Sequence, residues 1–339
     1  MRAISFACFA AAIIAVQVAT TLTGTGYLLN QLTMAAWYSL VVVGLCLLMG
    51  YAGQISLGHA AFFAIGGYTT AVLSSVNLLP AGSTLPVRAL SLAGLTIGGT
   101  DPWGSAVLRL SPWISLIAAV IVSAVVAYGI GMPVLRLRGH YLAMATLGFG
   151  IIVYRIALGT PLFGAADGLS DVPPFPLLPG LCLDGTRLHR VSSYYFSWFV
   201  VLAVMVLLVN LIGSRAGRAL RAIHGNEAAA QAMGIDTSRY KLHLFALSAV
   251  IAAMAGVFMT HYTGGIGPGE TSVMKSIRYV AIVAVGGMAN LWGALIAGTV
   301  LNFLSLRGFF GTYDDAVFGA VLIAMMLFAP DGIVRKKKT

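Results

Sequence analysis

Along most of this chain the apolar positions follow neither the period of a half-buried surface helix nor the alternation of a strand; they run unbroken for about twenty residues at a time. At about 1.5 Å of rise per residue such a run spans the hydrocarbon core of a bilayer. Residues 3–87 include no Asp, Glu, Lys or Arg, which is enough chain for three spans. These are predicted at about 3–22, 27–49 and 57–79. The first has Arg2 ahead of its apolar run, as a signal peptide would, but the run is long and no small-x-small cleavage site follows, so it is read as a retained helix. Further spans are predicted at 112–135, 140–158, 194–212 and 243–263. The charge-free passage 279–306 is too long for one upright helix and too short for two full ones, and Gly286-Gly287, Gly293 and Gly298 interrupt it. It predicts a short or broken eighth span, entered through residues 276–278, and a ninth at 291–307. A tenth at 313–329 precedes Asp331 and the basic run Arg335, Lys336, Lys337 and Lys338. The expected fold is therefore an all-α polytopic membrane protein, one transmembrane domain over 1–339 with about ten helices.

The polar segments divide this pattern. Residues 80–111 and 159–193 read as external loops, the former with a short interfacial helix and the latter either a covering connector or a receiver for a soluble partner. Between the second and third spans runs GYAGQISLGHAAFF, starting at Gly50. Unwound backbone at membrane depth survives only inside protein or beside water, so Gln54, Ser56, Gly58 and His59 are candidates for lining a transport path. The alternative is small-residue helix packing with hydrogen-bonding Gln and Ser, and a satisfied packing histidine.

The longest polar and basic passage is 213–242, with Arg215, Arg218, Arg221, Arg239 and Lys241 around Glu227 and Asp236. Within it Asn226 suits an N-cap, Glu227 suits the positive end of a helix dipole, 228–233 are strong helix formers, and Gly234 can close the helix in the left-handed region. A helix of about 12 Å is predicted. Ala228, Ala229, Ala230 and Ala232 leave its surface small enough for another protein's backbone to approach, so the helix reads either as a docking surface or as an ordinary cytoplasmic connector.

Composition agrees with a membrane protein: 59% hydrophobic, 9% charged and 40 glycines in 339 residues, with a mean hydropathy of +0.93. The net charge of +10 is spread over short loops, which argues against nucleic acid and for topology signals. In the ten-span arrangement twelve of the twenty Lys and Arg fall on one side: Arg2, Arg136, Arg138, the five of the 213–242 loop and the four at 335–338. That bias predicts both termini in the cytoplasm. Cys8, Cys46 and Cys182 suggest no disulfide framework, and the six histidines show no metal-site spacing. None of the ten acidic residues is left in mid-membrane in this arrangement, which counts against a proton-driven carrier. No lysine follows a glycine, so there is no phosphate loop; the chain is expected to bind no cofactor and to be no enzyme.

Three runs carry a resemblance: GYAGQISLGHAAFFAIGGY, LRLRGHYLAMATLGFG and ALRAIHGNEAAAQAMGIDTSRYKLHLFALSA. The last resembles the EAA loop of bacterial ABC-importer permeases. Together, over most of 27–305, they resemble the LivM-type permease subunit of branched-chain amino acid ABC importers. The resemblance implies that Arg221, Asn226, Glu227, Ala228, Ala229 and Gly234 belong to an ATPase-coupling helix. It also implies a related second permease chain, two cytoplasmic ATPase subunits that use the ATP, and an extracytoplasmic solute-binding protein, all at the bacterial inner membrane. The family's substrates are leucine, isoleucine and valine; relatives carry urea, amides or other small solutes. An ion-coupled secondary carrier and a membrane scaffold are the competing readings. Two departures bear on substrate and docking: Phe163-Gly164-Ala165-Ala166-Asp167-Gly168-Leu169 where the family commonly has a TGG-type sequence before Asn-Gly-Leu, and Met288-Ala289-Asn290 in place of a further glycine pair.

Overall fold

Helix α2 (Leu28–Ala52) is apolar on all sides, and every residue from 35 to 52 is buried, as expected of a helix surrounded by other helices. The structure, a computed structural model, describes residues 2–79, 95–100, 104, 106–137, 139–178 and 180–328. Around α2 pack α6 (Arg190–Gly213), α9 (Thr237–Thr263), α10 (Val273–Gly286) and α11 (Leu291–Leu306). Helix α3 (His59–Ser75) lies against α9, and α4 (Pro112–Val134) lies across both. Helices α1 (Arg2–Leu22) and α5 (His140–Gly159) are peripheral, and α12 (Asp314–Phe328) covers α10.

Six of these helices, α1, α2, α4, α5, α6 and α9, are long and apolar enough to cross a membrane. Their sidedness inverts the soluble rule. On α4, Ser115, Ala119, Ser123, Ala127 and Gly131 recur every fourth residue and are buried, while Ile117, Ile121 and Val125 face outward. Small residues let helices approach in lipid, and the large apolar ones meet it. The same device sets the α3–α9 contact: a Cβ on Gly66 would lie 2.2 Å from the Ala253 carbonyl oxygen, and one on Gly256 1.9 Å from that of Phe63.

One end of the bundle carries short strands. Strands β1 (Thr96–Thr100) and β2 (Ala106–Leu110) form an antiparallel hairpin, as do β4 (Phe175–Leu178) and β5 (Leu181–Leu183). Strand β3 (Leu169–Ser170) pairs with β6 (Gly265–Ile266), and Arg109 bonds Asp171 at 2.5 Å. In the described part of the 80–111 loop the chain is thus a hairpin rather than an interfacial helix; residues 80–94, Asp101 and Pro102 lie outside the described residues, as do Arg138, Asp331 and the basic run at 335–338. The predicted span limits agree with the helices to within a few residues, except that α6 and α9 begin about four and six residues earlier.

The opposite end carries two short helices, α7 (Arg215–Gly225) and α8 (Glu227–Ala232). Phe6 and Phe9 pack on Trp292 in the first turn of α11. Just before that helix, the Met288 carbonyl approaches Cys46 near the end of α2. The start of α1 therefore lies at the α7–α8 end.

Candidate functional site

Ser214 breaks away from α6 and caps α7, its hydroxyl accepting from the Gly217 N–H at 3.4 Å. The predicted short helix had no such neighbour. The signal was present in the sequence: Gly217, Leu220 and Ile223 are buried on one face of α7 while Arg218 and Arg221 are exposed on the other. Asn226 then leaves the helical region and caps α8, its Oδ1 accepting from the Ala229 N–H at 3.1 Å. Gly234, at φ +81°, reverses the chain as expected.

The alanine face divides. Ala228, Ala229 and Ala232 are exposed, but Ala230 is buried against the chain itself, since the helix must rest on something. Of the four alanines predicted to form one surface, three are exposed. Met233, 82% exposed, joins that surface and had been passed over as an ordinary helix former.

At the end of α2, Gly53 takes the left-handed conformation (φ +65°) and residues 54–58 are not helical. This is the unwound stretch predicted from the glycines. The Leu57 N–H donates to Thr146 Oγ1 of α5 at 3.0 Å, and a Cβ on Gly58 would lie 2.9 Å from the Thr146 carbonyl oxygen. Gln54, Ser56, Gly58 and His59 are all buried. His59 Nε2 lies 2.5 Å from Ser248 Oγ, which donates to the Gly44 carbonyl at 3.0 Å, so His59 ties α3 to α9 and α2. Gln54 Oε1 has no hydrogen-bond partner among the described residues.

The two predicted groups meet. A Cβ on Gly53 would lie 2.8 Å from His224 Nδ1 of α7. A cavity of about 250 Å³ between them is lined by Gly53, Gln54, Leu142, His224, Asn226, Glu227 and Lys241, among others. Glu227 Oε1 accepts from Lys241 Nζ at 2.6 Å, with both side chains largely buried. Of the predicted residues, Gln54, Asn226 and Glu227 share this cavity; Ser56, Gly58, His59, Arg221, Ala228, Ala229 and Gly234 lie outside its lining.

A second polar cluster corrects the expectation that no carboxylate lies at membrane depth. Glu270 pairs with Lys275, and the Tyr38 hydroxyl donates to its carboxylate at 3.2 Å. Tyr38 stands ten residues after Leu28 in the 25-residue α2, about 15 Å along it and in its middle third. Glu270 is in a loop, as predicted, but the loop re-enters the bundle. Lys275 and Arg278, which are not among the twelve basic residues counted on one side, sit in the first two turns of α10. The sequence signal was Ser272, whose hydroxyl accepts from the Lys275 N–H at 3.3 Å and starts the helix one turn earlier than expected. Arg278 in turn bonds Asp314 at 2.6 Å and Asp315 at 2.9 Å. A charge at the centre of a bilayer costs roughly 2.5–3.5 kcal/mol on insertion scales, so such a cluster needs protein or water beside it.

Comparison with known proteins agrees with this architecture. The family described as "Branched-chain amino acid transport system / permease component" matches residues 27–329. The chain is 30% identical to the high-affinity branched-chain amino acid transport system permease protein LivM of Salmonella typhimurium over 323 residues, covering 89% of this chain and 68% of that one. The Escherichia coli LivM is 29% identical over the same shares. The LivH permease protein of Escherichia coli is 26% identical, covering 90% of this chain and 93% of that one. No solved structure matches. The six long apolar helices and these relatives make it a multi-pass protein of the bacterial inner membrane. The chain belongs to the branched-chain amino acid transport permease family.

Proposed function

We propose that this chain is the membrane-spanning subunit of an ATP-driven importer of leucine, isoleucine and valine. Separate ATPase subunits dock on α8 and switch the helices between outward-open and inward-open arrangements. The observation that carries this reading is the placement of α8. It is exposed on one face, tied to the first turns of α9 through Glu227 and Lys241, and shares a cavity with Gln54 just past the end of α2. Force on α8 therefore reaches two buried helices within one side chain's length.

In this reading α1–α6 and α9–α12 are the ten membrane helices, with α10, α11 and α12, at 14, 16 and 15 residues, shorter than a full upright span. Helices α7 and α8 lie at the cytoplasmic surface, with the start of α1 and the end of α12 on the same side. A related permease chain, two ATPases and an external solute-binding protein complete the complex. The chain contributes no ATPase site.

The test is reconstitution in proteoliposomes with those partners. ATP-dependent leucine uptake that Ala229→Trp abolishes, with the chain still inserted, is the expected result; normal uptake in that variant overturns the reading. Glu270 at membrane depth favours one competitor, an ion-coupled carrier. It would show as uptake by the chain alone, down an ion gradient, without ATPases.

A further inference from the structure

Beside the Glu270–Lys275 pair lies a cavity of about 60 Å³, lined by Tyr38, Lys275, Arg278, Tyr279, Asn302 and Ser305. We propose that it holds the carboxylate of a zwitterionic α-amino acid, with Glu270 taking the ammonium. This deepens the proposed function by locating the substrate's charged groups, and it rests on that reading.

Three observations support it. First, six of the seven residues lining the cavity, all but Leu306, carry a polar or charged group, which suits a carboxylate better than a branched apolar side chain. Second, Tyr279 is 1% exposed and lines the cavity, yet its hydroxyl has no hydrogen-bond partner among the described residues. A buried hydroxyl left unmatched is expensive, and an incoming carboxylate supplies the acceptor it lacks. Third, Lys275 is in the first turn of α10, whose amino end favours an anion. Lys275 donates to the Tyr38 hydroxyl at 3.2 Å, so it already reaches the lining. Arg278 bonds Asp314 and Asp315 through Nη2, but its buried Nε has no hydrogen-bond partner among the described residues, so it offers the cavity a second cationic donor beside Lys275.

A zwitterion can enter without moving net charge. Its carboxylate takes Lys275, its ammonium takes Glu270, and one internal ion pair becomes two.

The experiment measures radiolabelled leucine binding to the solubilised complete permease–ATPase complex, and leucine uptake once the binding protein is added to vesicles. Leucine should compete with itself, while leucinamide and 4-methylpentanoate, each lacking one charge, should not. Tyr279→Phe should weaken leucine binding about tenfold to a hundredfold, the worth of one hydrogen bond to a charged group, at an unchanged melting temperature. Glu270→Gln should weaken it more than tenfold, and the exchange Glu270→Lys with Lys275→Glu, which rebuilds the pair in reverse, should not restore it. Wild-type affinity in Tyr279→Phe, or full restoration by the exchange, overturns the pocket. Wild-type vesicles that take up no leucine overturn the proposed function instead.

Discussion

Glu227, the first residue of α8, and Lys241, in the second turn of α9, are joined at 2.6 Å across the wall of the cavity that Gln54 also lines. Neither side chain is more than about a quarter exposed, so solvent screens the pair only in part. The pair ties a short helix on the rim of the bundle to a long helix in its centre.

Breaking that link should uncouple the motor from the helices. Glu227→Gln and Lys241→Met should each lower ATP-dependent uptake several-fold, and the double variant should lose little more than either, giving a coupling energy of about 1 kcal/mol or more. Additive losses in a double-mutant cycle would show that the pair transmits nothing.

Met233 is the large apolar side chain on the exposed face of the α8 turn. If the ATPase covers it, Met233→Asp forfeits the burial of a methionine, about 1.5–3 kcal/mol, and co-purification of the ATPase should fall at least tenfold. The chain's own melting temperature should stay as it is, because that side chain is 82% exposed.

Gly256 and Gly129 form a matched pair of tests. A Cβ on Gly256 would sit 1.9 Å from the Phe63 carbonyl oxygen, whereas one on Gly129 meets nothing within 4 Å. Gly256→Ala should force α3 from α9 at a cost of about 1–3 kcal/mol and lower the melting temperature in detergent. Gly129→Ala should leave it unchanged or raise it slightly.

Ser248→Ala should leave His59 Nε2 without its partner in a site where His59 is 1% exposed. The cost is that of one stranded buried polar group, about 1–3 kcal/mol, read as a lower melting temperature. An unchanged melting temperature would mean that water or another group takes the place of the serine hydroxyl.

The six long apolar helices were legible in the sequence because uninterrupted apolar runs have a length that a bilayer fixes. The α8 cap and its closing glycine were legible because Asn226 and Gly234 act locally on the backbone. What escaped was set by distant neighbours. Ala230 turns inward because α8 rests on the bundle, and no pattern of four alanines says which one faces the protein. Glu270 looked like a loop carboxylate, since loops in sequence carry no depth; only the re-entry of the chain beneath the β6 turn brings it to Tyr38. The strands at the other end are two to five residues long and carried no alternation to detect.

The central claim is that α8 faces the cytoplasm and touches an ATPase. With Cys8, Cys46 and Cys182 replaced by serine or alanine, a single Ala229→Cys should react with a membrane-impermeant maleimide only in inside-out vesicles. It should also cross-link to the ATPase subunit when both are present. Labelling from the outside of intact cells, or full reactivity that the bound ATPase does not reduce, would contradict the account.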